Sequence, residues 1–590
     1  MRAHAALLPW GIAAVLLAAA CTTGSTHVEP APAMTAAPDA AAPKRRSALV
    51  IALVIDQLPM WIAEERWKTL PPSGGFAKLL GEANAALELR HGHAFNATAP
   101  GHAALFTGGT ASATGITANG KLSPEGQYAS VLADSTTKLV SASGPEDRSS
   151  SSLAALKSDT VADGLKHARG DARVVSLSMK DRGALFGAGR KPDAVFWFDA
   201  SLDALVTSTA FADATPAWAA TFTAPGSGAR YRQAPWVPAD PKWLAQHTDL
   251  PAPDLGQGDF NGLGVRFPHD LSKLPKAAKA FVSTPFADTM LIDAAVAAID
   301  ELAREDKPAL LAVSLSATDY VGHMFGPDAP ESWDQLARLD AELLRLLSHL
   351  DQRLGSDGYA VVMSADHGVP PTPEVMNQGF CGRPDADRFE RRCERALRLH
   401  GAELTKIAED AADKAAGPGD YFLGQTEPFL ILRGTARSLP TGKLETAVGA
   451  AIQALSATAG VARAVDVRKI PAQCPPLSDE SLDALVCRSI RGSTGGDIFV
   501  VPKPGAFVDA MYVEGDGVNH GTPYLFDRAV PLVVRAPRPA GAAPAGEAPA
   551  LDGKNVVDHR AYAVTLSALL GIEPPEAAVG GKDLSKVVIR

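Results

Sequence analysis

No long run of positive charge occurs in this chain: Lys and Arg number 56 against 66 Asp and Glu, and the formal charge of −10 is spread along 590 residues. Without a basic block, nucleic acid is excluded as a structural partner. Cysteine is scarce. There are five, none in CxxC spacing, which argues against a zinc–thiolate site. Apolar runs of membrane-spanning length are also missing. The uncharged stretch Ala5 to Ala20, behind Arg2, is too short for a span and suits a secretory signal. There is no internal repeat.

What is present begins with that address. Ala18-Ala19-Ala20 offers a signal-peptidase site before Cys21, and Leu17-Ala18-Ala19-Ala20-Cys21 also resembles a bacterial lipoprotein box. Both readings of residues 1–21 stay open, and both put the protein outside the cytoplasm, periplasmic or anchored to the outer membrane. If Cys21 is acylated, the Thr/Ala/Pro-rich part of a 22–46 linker becomes a flexible tether. The other cysteines, Cys381, Cys393, Cys474 and Cys487, are even in number, as disulfides require. Of three possible connectivities, neighbour pairing is expected, because each bond then closes a short polar loop.

From residue 47 the pattern changes. Leu49 to Ile55 is a continuous apolar run that stops at Asp56, the signature of a strand buried on both faces in a parallel sheet. The pattern returns at Ala309 to Ser316, before Thr318-Asp319, and at Tyr359 to Ala365, before Asp366-His367. Between such strands lie helical periods. Trp333 to Leu350 carries leucines at three- and four-residue steps, with Ser332 and Gln335 read as a capping box, and Asp288 to Arg304 is amphipathic. Val556 to Leu570 reads as a helix closed by Gly571 and Pro574. The alternation predicts an α/β fold, a doubly wound and mostly parallel sheet flanked by helices, occupying 47–590. Two stretches break the alternation and read as insertions over the crevice: about 183–284, without a sustained period, and about 370–517, with some strand and helix of its own at Phe429 to Leu432 and Leu444 to Leu455.

In such sheets ligands bind beyond the carboxyl ends of the strands, where Asp56, Asp319 and Asp366 would all be delivered. Asp319 and His323 are four apart, one helical turn, so they share a face. With His367 and His520, the carboxylate and imidazole set suits Zn²⁺, and with the Thr98 hydroxyl the seven candidate ligands are too many for one ion. Two close metals would divide them and act on the two oxygens of an in-line displacement at phosphorus. Thr98, ahead of Pro100 and an apolar run, sits where a helix begins; it is either an ordinary cap or a hydroxyl beside an anion-binding helix end. His91, His93, His102, His349 and His559 read as core or surface residues.

The motifs Val54-Ile55-Asp56-Gln57, Thr98-Ala99-Pro100-Gly101-His102, Gly115-Ile116-Thr117-Ala118-Asn119, Lys180-Asp181-Arg182-Gly183, Thr318-Asp319 with His323, Ala365-Asp366-His367-Gly368 and His520-Gly521 follow one another in this order. With them the sequence resembles the alkaline phosphatase superfamily, most closely the bacterial phosphate-irrepressible branch with a Thr nucleophile. The resemblance implies two zinc ions per chain, one on Asp319, His323 and His520, the other on Asp56, Thr98, Asp366 and His367. It implies a phospho-Thr98 intermediate hydrolysed by water, with Asn119, Lys180 and Arg182 binding the phosphoryl group. Lys180 and Arg182 are two apart and would share a face if the strand-like Arg173 to Ser178 persisted through them. Two extra cations favour a dianionic monoester over a monoanionic diester. The expected protein is thus a monomeric, exported phosphatase acting on small-molecule phosphate monoesters. Competing readings are a nucleotide pyrophosphatase or phosphodiesterase of the same superfamily, and a lipid-anchored binding module without catalysis. A sulfatase is disfavoured, since Thr98 to His102 lacks the C/S-x-P-x-R pattern.

Overall fold

The apolar run Leu49–Ile55 forms the middle of an 11-stranded sheet. The computed structural model describes residues 49–249, 253–492, 494–509, 517–537, 551 and 553–586, all within one unit, Arg45–Arg590. The expected leader, Cys21 and linker lie outside them. Ala309–Leu315 and Tyr359–Ser364 flank the first strand in parallel, with Val54 opposite both Ser314 and Ser364. Arg173–Ser178 pairs in parallel beyond Ala309–Leu315, and Ala194–Asp199 beyond that. The first four of these five parallel strands carry the site. Strands Ala529–Arg535 and Ala85–Arg90 continue one side, the former antiparallel to both its neighbours. Antiparallel strands Ala204–Ser208, Ala133–Ser141 and Gly144–Ser151 extend the other. The sheet is therefore mixed, parallel at its centre.

Every residue of Leu49–Ile55, Ala309–Leu315 and Tyr359–Ser364 is buried. At roughly 1.5–3 kcal/mol per large apolar side chain, this burial fixes the register of the strands and so the level at which each chain leaves the sheet.

The helices depart from the sequence reading in detail. The leucine-rich helix spans Pro330–Leu354, with Ala329 as its cap and Pro330 in the first turn. The capping box is absent: Ser332 Oγ donates to Gly326 O, and Gln335 Nε2 to Asp288 Oδ2 on helix Phe286–Leu302. Tertiary partners have claimed both residues. At the C-terminal end, Val556–Asp558 is a strand paired in parallel with Ala85–Arg90, and only Arg560–Leu570 is helical.

The expected insertion at 183–284 starts too early. Its first residues complete the helix Asp181–Ala188, and Ala194–Asp199 and Ala204–Ser208 are strands of the main sheet. Short elements follow, tied to the Pro330–Leu354 helix by Trp236 Nε1 and Ala239 N donating to Asp334, and by His269 facing Glu331. The segment expected at 370–517 builds a second sheet, Phe422–Thr426, Phe429–Leu432, Ile498–Pro502 and Val461–Asp466, packed with helices Gly401–Ala416 and Thr441–Ser456 around a separate apolar cluster. Disulfides join Cys381 to Cys393 and Cys474 to Cys487.

Three histidines, His91, His93 and His559, are fully buried with ring centroids 5.8 to 6.2 Å apart. Burial first, and then neighbouring imidazoles or Arg side chains, disfavour their charged forms, lowering His91 to about 3 and His559 to about 4. Above the ordinary imidazole value of 6.5 folded and unfolded chains both hold them neutral, so their share of stability is complete. As pH falls, the unfolded chain takes up protons that the fold refuses, and stability is lost between 6.5 and about 4. We predict that His559→Gln flattens the pH dependence of unfolding free energy in this window, by up to about 1.4 kcal/mol per pH unit. Denaturant titrations at a series of pH values check this; an unchanged slope contradicts it.

Candidate active site

Register delivers the acids. Because the three central strands end at one level, Asp56, Asp319 and Asp366 leave the same edge, 0 to 2 % exposed. Asp319 lies in the first turn of helix Ala317–Phe325, and His323, one turn on, sits with Nε2 3.2 Å from Asp319 Oδ1. His520 Nε2 lies 3.6 Å from the same oxygen. On the other side His367 Nε2 is 3.5 Å from both Asp56 Oδ1 and Asp366 Oδ2. The His367 and His520 rings stack with centroids 3.7 Å apart, so the two groups adjoin.

Thr98 is the first residue of helix Thr98–Thr107, capped by Ala97, and all ten residues of this helix are buried. The Thr98 side chain makes no capping bond of its own; instead Thr98 Oγ1 accepts from Lys180 Nζ at 3.2 Å. The next residue's amide, Ala99 N, donates to Asn119 Oδ1 at 2.8 Å, leaving Nδ2 as the donating end of Asn119. Lys180 Nζ also reaches Asp56 Oδ2 at 2.6 Å and contacts Asp319 Oδ2.

The strand does not continue to Arg182. It ends at Ser178, and Lys180 caps the helix Asp181–Ala188 in which Arg182 stands. The helix packs close on the strand end: a Cβ on Gly183 would lie 2.3 Å from Ser178 Oγ. Lys180 is thereby buried under the acids. Arg182 is half-buried, its Nε without a hydrogen-bond partner, its charge sensed by Tyr320, Asp181 and Asp56. Asp181 is held by Ser130 Oγ and Ser151 Oγ and accepts from Arg182 N.

One ammonium among three buried carboxylates leaves an excess of negative charge. Burial raises all three acids; for Asp319, Lys180 and then His323 outweigh it and hold the carboxyl well below its usual range. For Asp366, His367 and His102 do the same. Asp56 is the acid left over: burial, with repulsion from Asp319 and Asp366, pushes it well up despite Lys180. Such a cluster calls for more positive charge.

The donor set fits metal ions. His323 Nδ1 donates to Val518 O at 2.8 Å, His367 Nδ1 to Gly368 O at 2.9 Å and His520 Nδ1 to Asn96 O at 2.8 Å. A carbonyl can only accept, so each imidazole keeps a proton on Nδ1 and turns Nε2, the atom a ligand offers, toward the acids; at His323, against burial, the neighbouring Asp319 favours the charged ring. Burial holds His367 and His520 in the neutral form. Asp56 Oδ1 and His367 Nε2 are buried without a hydrogen-bond partner, and Asp56 Oδ2 and Asp366 Oδ2 meet only Lys180 and His102. Asp319, His323 and His520 form one group with ligand atoms within 4.8 Å of each other, and Asp56, Asp366 and His367 a second.

Two contributors lay outside the sequence reading. Gln57, at φ 64°, donates from its backbone N to Asp366 Oδ1 and from Nε2 to Asp319 Oδ1, so one strained residue spans both groups. Its positive φ has no signal in a Gln. His102, read as a core residue, has Nδ1 3.0 Å from Asp366 Oδ2 and 2.9 Å from Thr98 O, one turn from the hydroxyl; its i+4 spacing from Thr98 was the available clue.

A family model described as type I phosphodiesterase / nucleotide pyrophosphatase matches residues 50–384. Over 335 residues the chain is 33% identical to alkaline phosphatase PafA of Elizabethkingia meningoseptica, covering 55% of this chain and 60% of that protein, less than two thirds of its length. Alkaline phosphatase PhoK of a Sphingomonas species aligns at 28% identity over 82% of this chain and 83% of its own. The crystal structure of wild-type PafA superposes with a TM-score of 0.76 at 24% identity, covering 92% of this chain and 99% of that one, a likeness of fold. The chain belongs to the type I phosphodiesterase / nucleotide pyrophosphatase family, within the alkaline phosphatase superfamily.

Proposed function

We propose that the protein is an exported phosphate monoester hydrolase working through a covalent phospho-Thr98 intermediate. The observation that carries this reading is the Thr98 hydroxyl, at a helix N-terminus and 3.2 Å from Lys180 Nζ, beside two adjoining groups of metal-ligand type. Asp319, His323 and His520 would hold one zinc ion, and Asp56, Asp366 and His367 with Thr98 the other. Bound there, two such ions would lower the pKa of the attacking hydroxyl and stabilise the departing oxygen.

The chain's own residues supply the rest. Thr98 Oγ1 releases its proton to solvent and attacks phosphorus, the bond to the ester oxygen breaks, and the leaving alcohol takes a proton from solvent. Water then cleaves the phospho-threonine, giving inorganic phosphate and restoring the hydroxyl. Asn119, fixed through Oδ1 by the amide beside Thr98, donates from Nδ2 to a non-bridging oxygen. Lys180 and Arg182 oppose the charge on the others. A monoester dianion gains more from two cations than a diester monoanion, which is the ground for preferring the monoesterase over the phosphodiesterase in the family's description. Export is supported by the N-terminal address and by two disulfides, which persist in oxidising compartments.

Thr98→Ala is expected to abolish turnover of an aryl phosphate while leaving metal content by elemental analysis unchanged; retained turnover would point to another nucleophile. Arg182→Ala should cost roughly 10²- to 10³-fold in kcat/KM for a monoester and clearly less for the bis-aryl diester. Equal losses on both substrates would refute charge matching as the source of preference.

A further inference from the structure

Behind His323 the two insertions meet in a knot of backbone carbonyls gathered by one side chain. Arg398, on the short strand Leu397–His400, has a side chain only 11 % exposed. Its Nη1 and Nη2 pair with Glu374 Oε1 and Oε2 at 2.7 and 2.8 Å, a fork-on-carboxylate contact. Its Nε and Nη2 also donate to Gly517 O at 3.0 and 2.8 Å. Gly517 N donates to Gly256 O at 2.6 Å, Thr372 Oγ1 to Leu255 O, and Gly258 N to Met324 O. The segment 255–258 of the first insertion is thus threaded between the second insertion and the helix bearing His323. Only glycine passes there: Gly256 has φ 76°, and a Cβ on it would lie 1.9 Å from Glu374 Oε2.

The residue after Gly517 is the one that fixes His323. Val518 N donates to His323 O at 3.0 Å, and Val518 O accepts from His323 Nδ1 at 2.8 Å. Two residues further on comes His520. Whatever locates Gly517 therefore sets the orientation and tautomer of one imidazole and the approach of the next.

We propose that Arg398 is a positioning residue for the group Asp319, His323 and His520, holding the 517–520 segment so that both imidazoles present Nε2 to one metal ion. This rests on the reading that the group binds a metal. Arg398 touches no ligand itself. Its effect falls first on one of the two groups, because Asp366 and His367 take their second contacts from Gln57, His102 and Gly368, none of which Arg398 touches.

The test is zinc titration of the chelator-treated full chain, with metal per chain by elemental analysis and affinities by competition with a chromophoric chelator. Wild type should bind two ions. Arg398→Met should keep one at wild-type affinity and bind the other 10- to 100-fold more weakly, the range seen when the outer partner of a ligand is lost. Arg398→Lys, retaining charge without the fork, should fall between. Should Arg398→Met fail to fold by circular dichroism, Glu374→Gln loosens the same fork without removing the guanidinium and should weaken one ion in the same way. Two ions at wild-type affinities in a folded variant, or equal weakening of both, would overturn the proposal. A wild-type chain that takes up no zinc would overturn the metal reading itself and this inference with it.

Discussion

Burying three carboxylates within reach of one ammonium is the constraint on which this structure turns. Asp56, Asp319 and Asp366 are driven together by the registered packing of apolar strands, a non-directional force that takes no account of the charge it concentrates. Lys180 answers part of that charge, yet Asp56 is still pushed toward its neutral form. A buried ion cluster out of balance is costly unless something else enters. The Nε2 atoms of three imidazoles, each turned inward because a backbone carbonyl holds its Nδ1, show what kind of partner the pocket is shaped to accept.

Around this centre the architecture divides its tasks. The sheet sets the height of the acids, and the helix Thr98–Thr107 offers a hydroxyl where unpaired amides begin. The turn at Ser178 sends Lys180 inward and leaves Arg182 nearer the surface, so two cations close in sequence work at different depths. The insertions also reach the imidazoles: the first is tied to the Pro330–Leu354 helix and to Met324, and Arg398 of the second holds Gly517.

The central strands and their terminal acids were legible because a continuous apolar run ending in Asp fits little besides a strand buried on both faces that stops at the sheet edge. So was the Asp319 and His323 pair, which helical periodicity alone brings to one face. What escaped was decided by tertiary contact. Gln335 gave up a capping role for Asp288, and Val556 joined a strand that lies hundreds of residues earlier in the chain. Ala194–Asp199 was hidden by Gly, Pro and Ala on either side, although Val195 to Phe198 is itself apolar. The bends that matter most, at Gln57 and after Ser178, are imposed by neighbours and leave no local pattern to read.

The most direct test of the charge argument is an anomalous difference map from crystals grown with zinc. Two peaks are predicted, one among Asp319, His323 and His520, the other among Asp56, Asp366 and His367 beside Thr98. A fully ordered pocket with no peak there, and Lys180 still bridging Asp56 and Asp319, would contradict it.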